Sequence, residues 1–592
     1  MSKLLKTIEQ MQTVRLNPAE VFGGLVNRAF IELSTGNELA FGIPEPDLVV
    51  TPYDRTIDGV DIYKQALTAQ EAGLVAAIRM AFTTGHITDA LLLASVTTSL
   101  NSANITGIEM SHIVEIRHFM INRGLINRKA TEIPYLDRHT QVVKHSKVWT
   151  LAGKWAEKRN QTWDRATEES FKPSYCSLDT IMQLEAGDYL PEIKGESTCW
   201  TSTARLKLEF VAYQIDPIWK RKAMAEVNNS RLAPRKADES DYQFDQRVAK
   251  HKDKQRQLEA LFQAPTGVDI HFPVTCDFRG RMYYRGGLLS PANGKFQRAA
   301  LQLAKTEMLT ASGWAELTIA FGAAKPGPER DALEMAIRRG ATEPVGVIIR
   351  LDGCCNGVQH MAAICKDLNA AKYTNLVENE IGQPLDLYQH VANKLNVDRD
   401  VAKAIVMPYA YGASAGSIAN TTGMPVWEVK KALATIDAEF YCISAFTNWV
   451  KMSAENQEPD AFRWTVEGFS VVHSYEAMDT LYAGTLAVTR KSGEMDSAKL
   501  VNALPPNIIH SLDAAHLRRV VERCNFDVST IHDSFGCHPN HVAELRKIII
   551  EEFQALHAIN PIDSIATDLG FYEPGFQGDL TIDMITNQNA FK

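Results

Sequence analysis

Val345-Gly-Val-Ile-Ile-Arg-Leu-Asp352-Gly353 is the stretch whose reading decides the fold. A β-branched run bounded by Pro344 and Gly353 predicts a buried strand that delivers a carboxylate at its C-terminal end. An Asp after an apolar strand is common, so Asp352 gains meaning only beside a second carboxylate. That second group lies in Phe526-Asp-Val-Ser-Thr-Ile-His532-Asp533-Ser-Phe-Gly536, which reads as a strand, a tight turn and a return strand with His532-Asp533 at the turn. Such a turn can be a solvated polar tip. However, Ile531 and Phe535 flank it with apolar groups, and a half-buried carboxylate is costly unless it is paired or binds metal. Two aspartates of this kind suit a two-metal site. Their hard oxygens match Mg²⁺, and two ions roughly 3.5–4 Å apart can activate an attacking hydroxyl and stabilise a leaving phosphate.

Between them lies Arg399-Asp-Val-Ala-Lys403-Ala-Ile-Val-Met407-Pro-Tyr-Ala-Tyr411-Gly412. Arg399 and Lys403 are four residues apart and share one helix face. Two cations on one face can hold a triphosphate, Arg by its fork and Lys as a point charge. An amphipathic helix with solvated cations would carry the same spacing. Tyr411 follows two turns on, where a ring can stack at a nucleotide.

Further from the carboxylates the signals thin out. Asn17-Pro18-Ala19-Glu20 reads as a helix start, with Val21, Leu25, Ala29 and Leu33 at helical spacing and Gly36 as the stop. Thr68-x-x-Glu71 is a capping box ahead of Leu74, Val75, Ile78 and Phe82. Residues 1–175 read as a helical N-terminal domain without a catalytic signature. Residues 176–268 read as a charged helical region, in which Lys220 to Arg256 holds eleven Lys/Arg against six Asp/Glu. That excess is either a nucleic-acid contact or a solvated helix pair. After Pro265-Thr266-Gly267 apolar strands and Gly-rich turns begin, and every chemical motif falls in residues 269–592.

With 592 residues the chain is too long for one core. A net charge of -9 argues against a protein that simply coats nucleic acid, but it leaves room for a local basic channel beside an acidic metal site. No apolar run reaches the length of a membrane span. The first residues lack a signal-peptide or transit pattern, which makes cytoplasm the expected compartment. The nine cysteines include no CxxC pair, so reduced thiols and no zinc site are expected.

Taken together these blocks resemble one family, the single-subunit, bacteriophage-type RNA polymerases that include the mitochondrial enzymes. Asp352-Gly-Cys-Cys-Asn-Gly-Val-Gln-His360 is similar to its motif A, Arg399 to Gly412 to its motif B, and Ile531-His-Asp-Ser-Phe-Gly536 to its motif C. Asp277-Phe-Arg-Gly-Arg281-Met-Tyr283 resembles its DxRGRxY segment, and Pro506-Asn-Ile-Ile-His510-Ser-Leu-Asp513 its PNxxHSxD segment. The motifs come in the family's order across residues 277–536.

The resemblance implies an α+β, mostly helical, right-hand fold of palm, fingers and thumb: a small helical N-terminal domain (1–175), a thumb-like region (176–268) and a palm-and-fingers catalytic domain (269–592). It implies a DNA-directed RNA polymerase that joins ribonucleoside triphosphates to an RNA 3′-hydroxyl with two Mg²⁺ ions, working as a monomer with DNA template and nascent RNA. By the same resemblance, Asp352, Asp533 and the carbonyl of Gly353 bind metal, and Arg399 and Lys403 bind the triphosphate. Tyr411 positions the ribose with His510 in its network, and Tyr388 lies near the nucleotide. Arg281, Tyr283 and Arg298 contact the template–RNA hybrid, and His532 sits beside the primer end. The related DNA polymerases carry a bulky Glu after the motif A Asp. Here the small run Gly-Cys-Cys-Asn-Gly follows, which leaves room for a 2′-hydroxyl.

The chain also departs from the pattern. Family members are commonly a few hundred residues longer. Pro408 interrupts the motif B helix. Ala413 and Gly416 replace larger residues, and Ala590-Phe591-Lys592 only partly resembles the family's aromatic end. The promoter-reading hairpin is expected near Phe469 to Thr489, with His473 and Tyr475 able to reach bases, and is short. An accessory protein for promoter opening is therefore a possible partner. A family A-like DNA polymerase and a catalytically dead nucleic-acid-binding relative are the alternatives. Ribonucleotide versus deoxyribonucleotide incorporation separates the first, and the full set of catalytic residues argues against the second.

Overall fold

The computed structural model describes residues 22–44, 56–57, 60–61, 67–102, 105–136, 143–171, 203–229, 231–235, 241–284, 289–455, 457, 459–483 and 486–592. Internal packing divides the chain into two units, Met1–Lys172 with Glu476–Asp496, and Pro173–Tyr475 with Ser497–Lys592.

In the first unit, helix α1 (Gly23–Ser34) buries Leu25, Val26, Ala29, Phe30 and Leu33 along one face. The start expected at Asn17-Pro18 lies outside the described residues. Helix α2 (Ala69–Thr84) opens with the capping box read from sequence. The Glu71 amide donates to Thr68 Oγ1 at 3.2 Å, and the Thr68 amide donates to Glu71 Oε2 at 2.9 Å. Gly85, at φ 76°, ends it in the left-handed conformation. Helices α3 (Asp89–Asn101) and α4 (Met110–Asn122) follow. The purely helical expectation for this part omits an antiparallel pair, β1 (Thr131–Leu136) with β2 (Val143–Thr150). Here propensity, with Thr, Ile, Tyr and Val in short runs, outweighs the helical pattern of the neighbouring sequence.

The second unit is built around a short sheet. Strands β3 (Val274–Cys276) and β4 (Met282–Tyr284) form a hairpin. Strand β5 (Ile349–Asp352) is the motif A strand, and Val345 ahead of it, within the run expected to be strand, makes only an isolated bridge to Glu307. Helix α5 (Asn356–Cys365) follows at once, then α6 (Leu387–Leu395) and α7 (Arg399–Ala410). Pro408 falls in the last turn of α7, so the interruption expected from sequence comes at the helix end.

The chain then forms the hairpin β6 (Phe462–Val466) with β7 (Phe469–His473), and next β8 (Glu476–Ala483) with β9 (Leu486–Met495). The expected promoter hairpin at Phe469–Thr489 is thus a splice of two hairpins, and the second belongs to the first unit. His473 is fully buried. Its Nε2 bonds the Leu500 carbonyl at 2.7 Å and its Nδ1 accepts from Asn507 Nδ2 at 3.0 Å, so it cannot reach a base. Tyr475 takes the second Asn507 N–H, at 3.3 Å.

Helix α8 (Leu504–Arg523) is buried along most of its length, and strands β10 (Ser529–Ile531) and β11 (Ser534–Cys537) precede helix α9 (Val542–Ala558). Strand β11 pairs with both β5 and β10. Its partners across β5 are Ser534 with Asp352, Phe535 with Leu351 and Gly536 with Arg350. Ile349, Leu351, Phe535 and Cys537 form the face packed on the helices, each 5% exposed or less.

Residues 590–592 close this sheet end. The amides of Asp352 and Lys592 each donate to the other's carbonyl at 3.1 Å, and the Cys354 amide donates to the Ala590 carbonyl at 3.0 Å. Phe591, 1% exposed, lies among His516, Phe535 and Phe553. Six of the described cysteines are free thiols, whereas Cys276 is disulfide-bonded, which corrects the expectation of reduced cysteines throughout. Among the described residues no helix is long and apolar enough to cross a membrane.

Phe591→Ala removes a buried ring and is expected to cost about 3–5 kcal/mol in the stability of this unit. The Asp352 and Cys354 amides should then exchange hydrogen faster than in the parent chain. Unchanged protection at both amides would show that residues 590–592 do not hold the strand end.

Candidate active site

The two-residue turn between β10 and β11 is His532-Asp533, since Ile531 pairs directly with Ser534. His532 takes φ 53°, which swings the backbone around the turn. Because Ser534 is also the partner of Asp352, the register places Asp533 beside the end of β5. Both aspartates line one cavity of about 350 Å³. Burial, and then the neighbouring Asp352 charge, push the Asp533 carboxyl above its ordinary range. The two carboxylates, with Gly353 on the same cavity wall, form a donor set of hard oxygens that fits a divalent cation.

Helix α7 supplies another part of the wall. Arg399 and Lys403 both line the cavity, as the four-residue spacing predicts. Tyr388, from α6, lies between them: the Arg399 guanidinium is 5.4 Å and Lys403 Nζ 5.6 Å from its ring centre. Arg399 also pairs with Asp386 at 2.8 Å, whereas Lys403 makes no ion pair among the described residues. The Tyr388 hydroxyl is hydrogen-bonded to the Cys355 thiol, and burial pushes that thiol up to about 12.

At the C-cap of α7, Tyr411 lies against His510, with ring centres 5.2 Å apart. Its hydroxyl rests on the α5 backbone: a Cβ on Gly357 would lie 2.6 Å from it. His510 is in turn held by Arg279, whose Nη1 donates to His510 Nδ1 at 2.8 Å. Burial and the Arg281 and Arg279 charges drive the His510 pKa down to about 2, so the ring is neutral. Arg279 is anchored through Nε to Asp277 Oδ2 at 2.9 Å. Arg281 forms a fork on Asp513, with Nε to Oδ1 at 3.0 Å and Nη2 to Oδ2 at 2.5 Å. Burial still raises Asp513 to about 6 despite that partner. Tyr283 donates to Asp277 Oδ2 at 3.1 Å and meets His532 edge-on at 5.1 Å.

The structure therefore gathers Asp352, Gly353, Asp533, Arg399, Lys403, Tyr388 and Tyr411 around one cavity. His510 adjoins it through Tyr411, and Arg281, Tyr283 and His532 lie in the polar layer beside it. Arg281 is committed to Asp513. Arg298 is not a lining residue and pairs with Glu329 at 2.8 Å. Sequence reasoning assigned no role to Asp277, Arg279, Asp386, Cys355 or Asp513, yet these hold the functional side chains in place. Opposite charges in the two quoted blocks, DxRGRxY and PNxxHSxD, were the available signal for the Arg281–Asp513 pair.

Gly357→Ala is expected to destabilise the fold by about 1–3 kcal/mol through overpacking. Because the nearest atom is the Tyr411 hydroxyl, Gly357→Ala with Tyr411→Phe should recover most of that loss in thermal melting. A double variant no more stable than the single one would move the clash elsewhere.

The family model for DNA-dependent RNA polymerase matches residues 344–421 and 428–577. DNA-directed RNA polymerase 2, chloroplastic/mitochondrial, of Arabidopsis thaliana is 28% identical over 282 residues, 38% of this chain and 28% of that one. DNA-directed RNA polymerase 1, mitochondrial, of the same plant is 22% identical over 506 residues, 68% of this chain and 51% of that one. The chain thus spans about half or less of the length of these relatives. Among solved structures, the POL domain of Pol1 from M. smegmatis in complex with DNA primer-template and dNTP aligns at 13% identity with a TM-score of 0.39, covering 68% of this chain and 70% of that one. Residues 344–421 and 428–577, which carry the motif A, B and C blocks gathered at one cavity, are thus the part of this chain that matches the DNA-dependent RNA polymerase family model.

Proposed function

We propose that the chain is a DNA-directed RNA polymerase that transfers nucleotidyl groups from ribonucleoside triphosphates to an RNA 3′-hydroxyl under the direction of a DNA template. The observation that carries this reading is the meeting of Asp352 and Asp533 in one cavity that Arg399 and Lys403 also line. Carboxylates and cations around one cavity match a substrate that is attacked at one phosphorus and leaves as pyrophosphate.

Asp352 and Asp533, with the Gly353 carbonyl, would hold two Mg²⁺ ions. When bound, such ions supply Lewis-acid activation of the hydroxyl and charge neutralisation of the leaving group. The chain's own residues do the rest. Lys403, free of any carboxylate, offers three donors to the triphosphate, and Arg399 adds a fork once it shares or releases Asp386. Tyr388 keeps the two cations apart and presents its ring to the nucleotide. Tyr411, seated on Gly357 and backed by neutral His510, sets the ribose wall. The short side chains of Gly353, Cys354 and Cys355 leave that wall open, which favours ribose over a sterically screened deoxyribose site.

Template and hybrid binding by the layer of Tyr283, Arg281 and His532, work as a monomer, and an accessory protein for opening duplex promoters belong to the same reading. The β8–β9 hairpin is the segment to which promoter contact is assigned, in place of Phe469–Thr489.

On a primed template with ribonucleotides and Mg²⁺, Asp352→Asn or Asp533→Asn should lower the extension rate by orders of magnitude while template binding persists. A rate above about a tenth of the parent would remove that residue from the metal site, since charge-stabilising groups at such centres contribute on the order of 10²–10³ or more. Lys403→Ala should cost about 2–4 kcal/mol in kcat/KM for nucleotide. An unchanged value would mean that this helix face is merely solvated. Equal use of deoxyribonucleotides would favour the DNA polymerase alternative.

A further inference from the structure

The sheet face that carries Asp352 also carries a cation that the nucleotide cavity does not use. Strand alternation puts Arg350 two residues back on that face, while Ile349 and Leu351 turn into the core. Its partner across the ladder is Gly536. A Cβ there would lie 3.2 Å from both Cγ and Nη1 of Arg350, so the glycine leaves the lane in which the guanidinium lies.

Hydroxyls rather than carboxylates surround this guanidinium. Nη2 donates to Ser529 Oγ at 3.3 Å. Tyr213 and Tyr284 share a hydrogen bond at 3.1 Å, and the Tyr284 hydroxyl accepts from the Thr530 amide at 3.3 Å. Nη1 is buried without a hydrogen-bond partner. The charged side chains that act on Arg350 are Arg298 and Glu329, which are bonded to each other at 2.8 Å. Two guanidiniums therefore face one carboxylate.

An arginine stays charged and carries five N–H donors, of which one is used here. Such a group is costly in a half-buried lane unless an anion completes it. Arg350 does not line the nucleotide cavity, and strand alternation sets it on the same face as Asp352. A strand with its 3′ end at Asp352 and Asp533 would pass Arg350 on leaving along the face that these two strand residues share.

We propose that Arg350, with the Ser529 hydroxyl beside it and Arg298 behind it, binds a backbone phosphate of the nucleic-acid strand that leaves the active site. This rests on the polymerase reading above. It also gives Arg298, expected from sequence to contact nucleic acid, a role as the second charge of this strip.

The test uses the full chain and a synthetic RNA–DNA hybrid, with affinity measured by fluorescence anisotropy across a series of salt concentrations. Arg350→Ala should weaken binding about tenfold at low salt and make the logarithmic salt slope shallower by about one, the signature of one lost phosphate contact. Arg350→Lys should keep the slope. A second measurement needs no variant: neutral methylphosphonate linkages are placed one at a time near the RNA 3′ end. One position should weaken the parent chain about as much as Arg350→Ala does, and should weaken Arg350→Ala no further. An unchanged salt slope in Arg350→Ala with a parent-like melting temperature, or no sensitive linkage in the parent chain, would overturn the assignment. In either case intact ribonucleotide extension by the parent would leave the polymerase reading standing, whereas a parent chain that neither binds nor extends the hybrid would sink both.

Discussion

Antiparallel pairing of Asp352 with Ser534 carries a second carboxylate, Asp533, to the side of the first, and the rest of the site answers that placement. Burial, and then the Asp352 charge beside it, raise the Asp533 carboxyl's affinity for a proton. The neighbouring Arg281 and Lys403 charges offset only part of that rise. Arg281 is spent on Asp513 and Arg279 on Asp277. Both guanidiniums are thus held by carboxylates of their own in the layer beside the two aspartates.

Holding the strand end still is a separate task, and it falls to parts distant in sequence. Residues 590–592 add backbone hydrogen bonds to Asp352 and Cys354, and Phe591 anchors them among three rings. The turn at Asp277–Arg281 reaches helix α8 twice, through Arg279 to His510 and through Arg281 to Asp513. Gly280 makes that turn possible: its φ is 89°, and a Cβ would come within 2.6 Å of Arg518 Nη1. Strand hairpin β3–β4 and helix α8 are thus fastened by charge-assisted bonds directly beside the cavity.

The parts of this arrangement that are legible in sequence are those set by local pattern. An apolar run ending in Asp, a two-residue polar turn between β-branched flanks, a four-residue spacing of cations and a Thr-x-x-Glu cap all follow from periodicity and capping chemistry. Other features depend on contacts across hundreds of residues. Nothing local in Arg281 says that its fork is taken by Asp513, and nothing in His473 says that Asn507 and Leu500 will satisfy it. The hairpin boundary was misplaced for a similar reason. Phe462–His473 and Glu476–Met495 are both alternating strand pairs, and only the packing of each assigns them to different units. The strands at Thr131–Thr150 were missed because the helical pattern of the neighbouring sequence was carried across their β-branched and aromatic runs.

The cavity wall formed by Tyr411 and backed by His510 is built of neutral groups. His510 sits between two guanidiniums, and its Nδ1 already accepts from Arg279. Protonation would place a third positive charge in the same layer and break that bond, so the ring keeps Nε2 as its donor throughout the physiological range. Tyr411 is held in the same state, since burial and the Asp513 charge push its hydroxyl up to about 12. A neutral phenol packed on bare backbone at Gly357, with a neutral imidazole behind it, can exchange hydrogen bonds with a hydroxyl but offers no charge to a phosphate. Within this cavity the cationic lining is Arg399 and Lys403, whereas the Tyr411 wall offers only dipoles. The separation is steric as well as electrostatic: a side chain at 357 would displace the phenol, and a larger one at 353 would meet Asn356, Gln359 and Phe591.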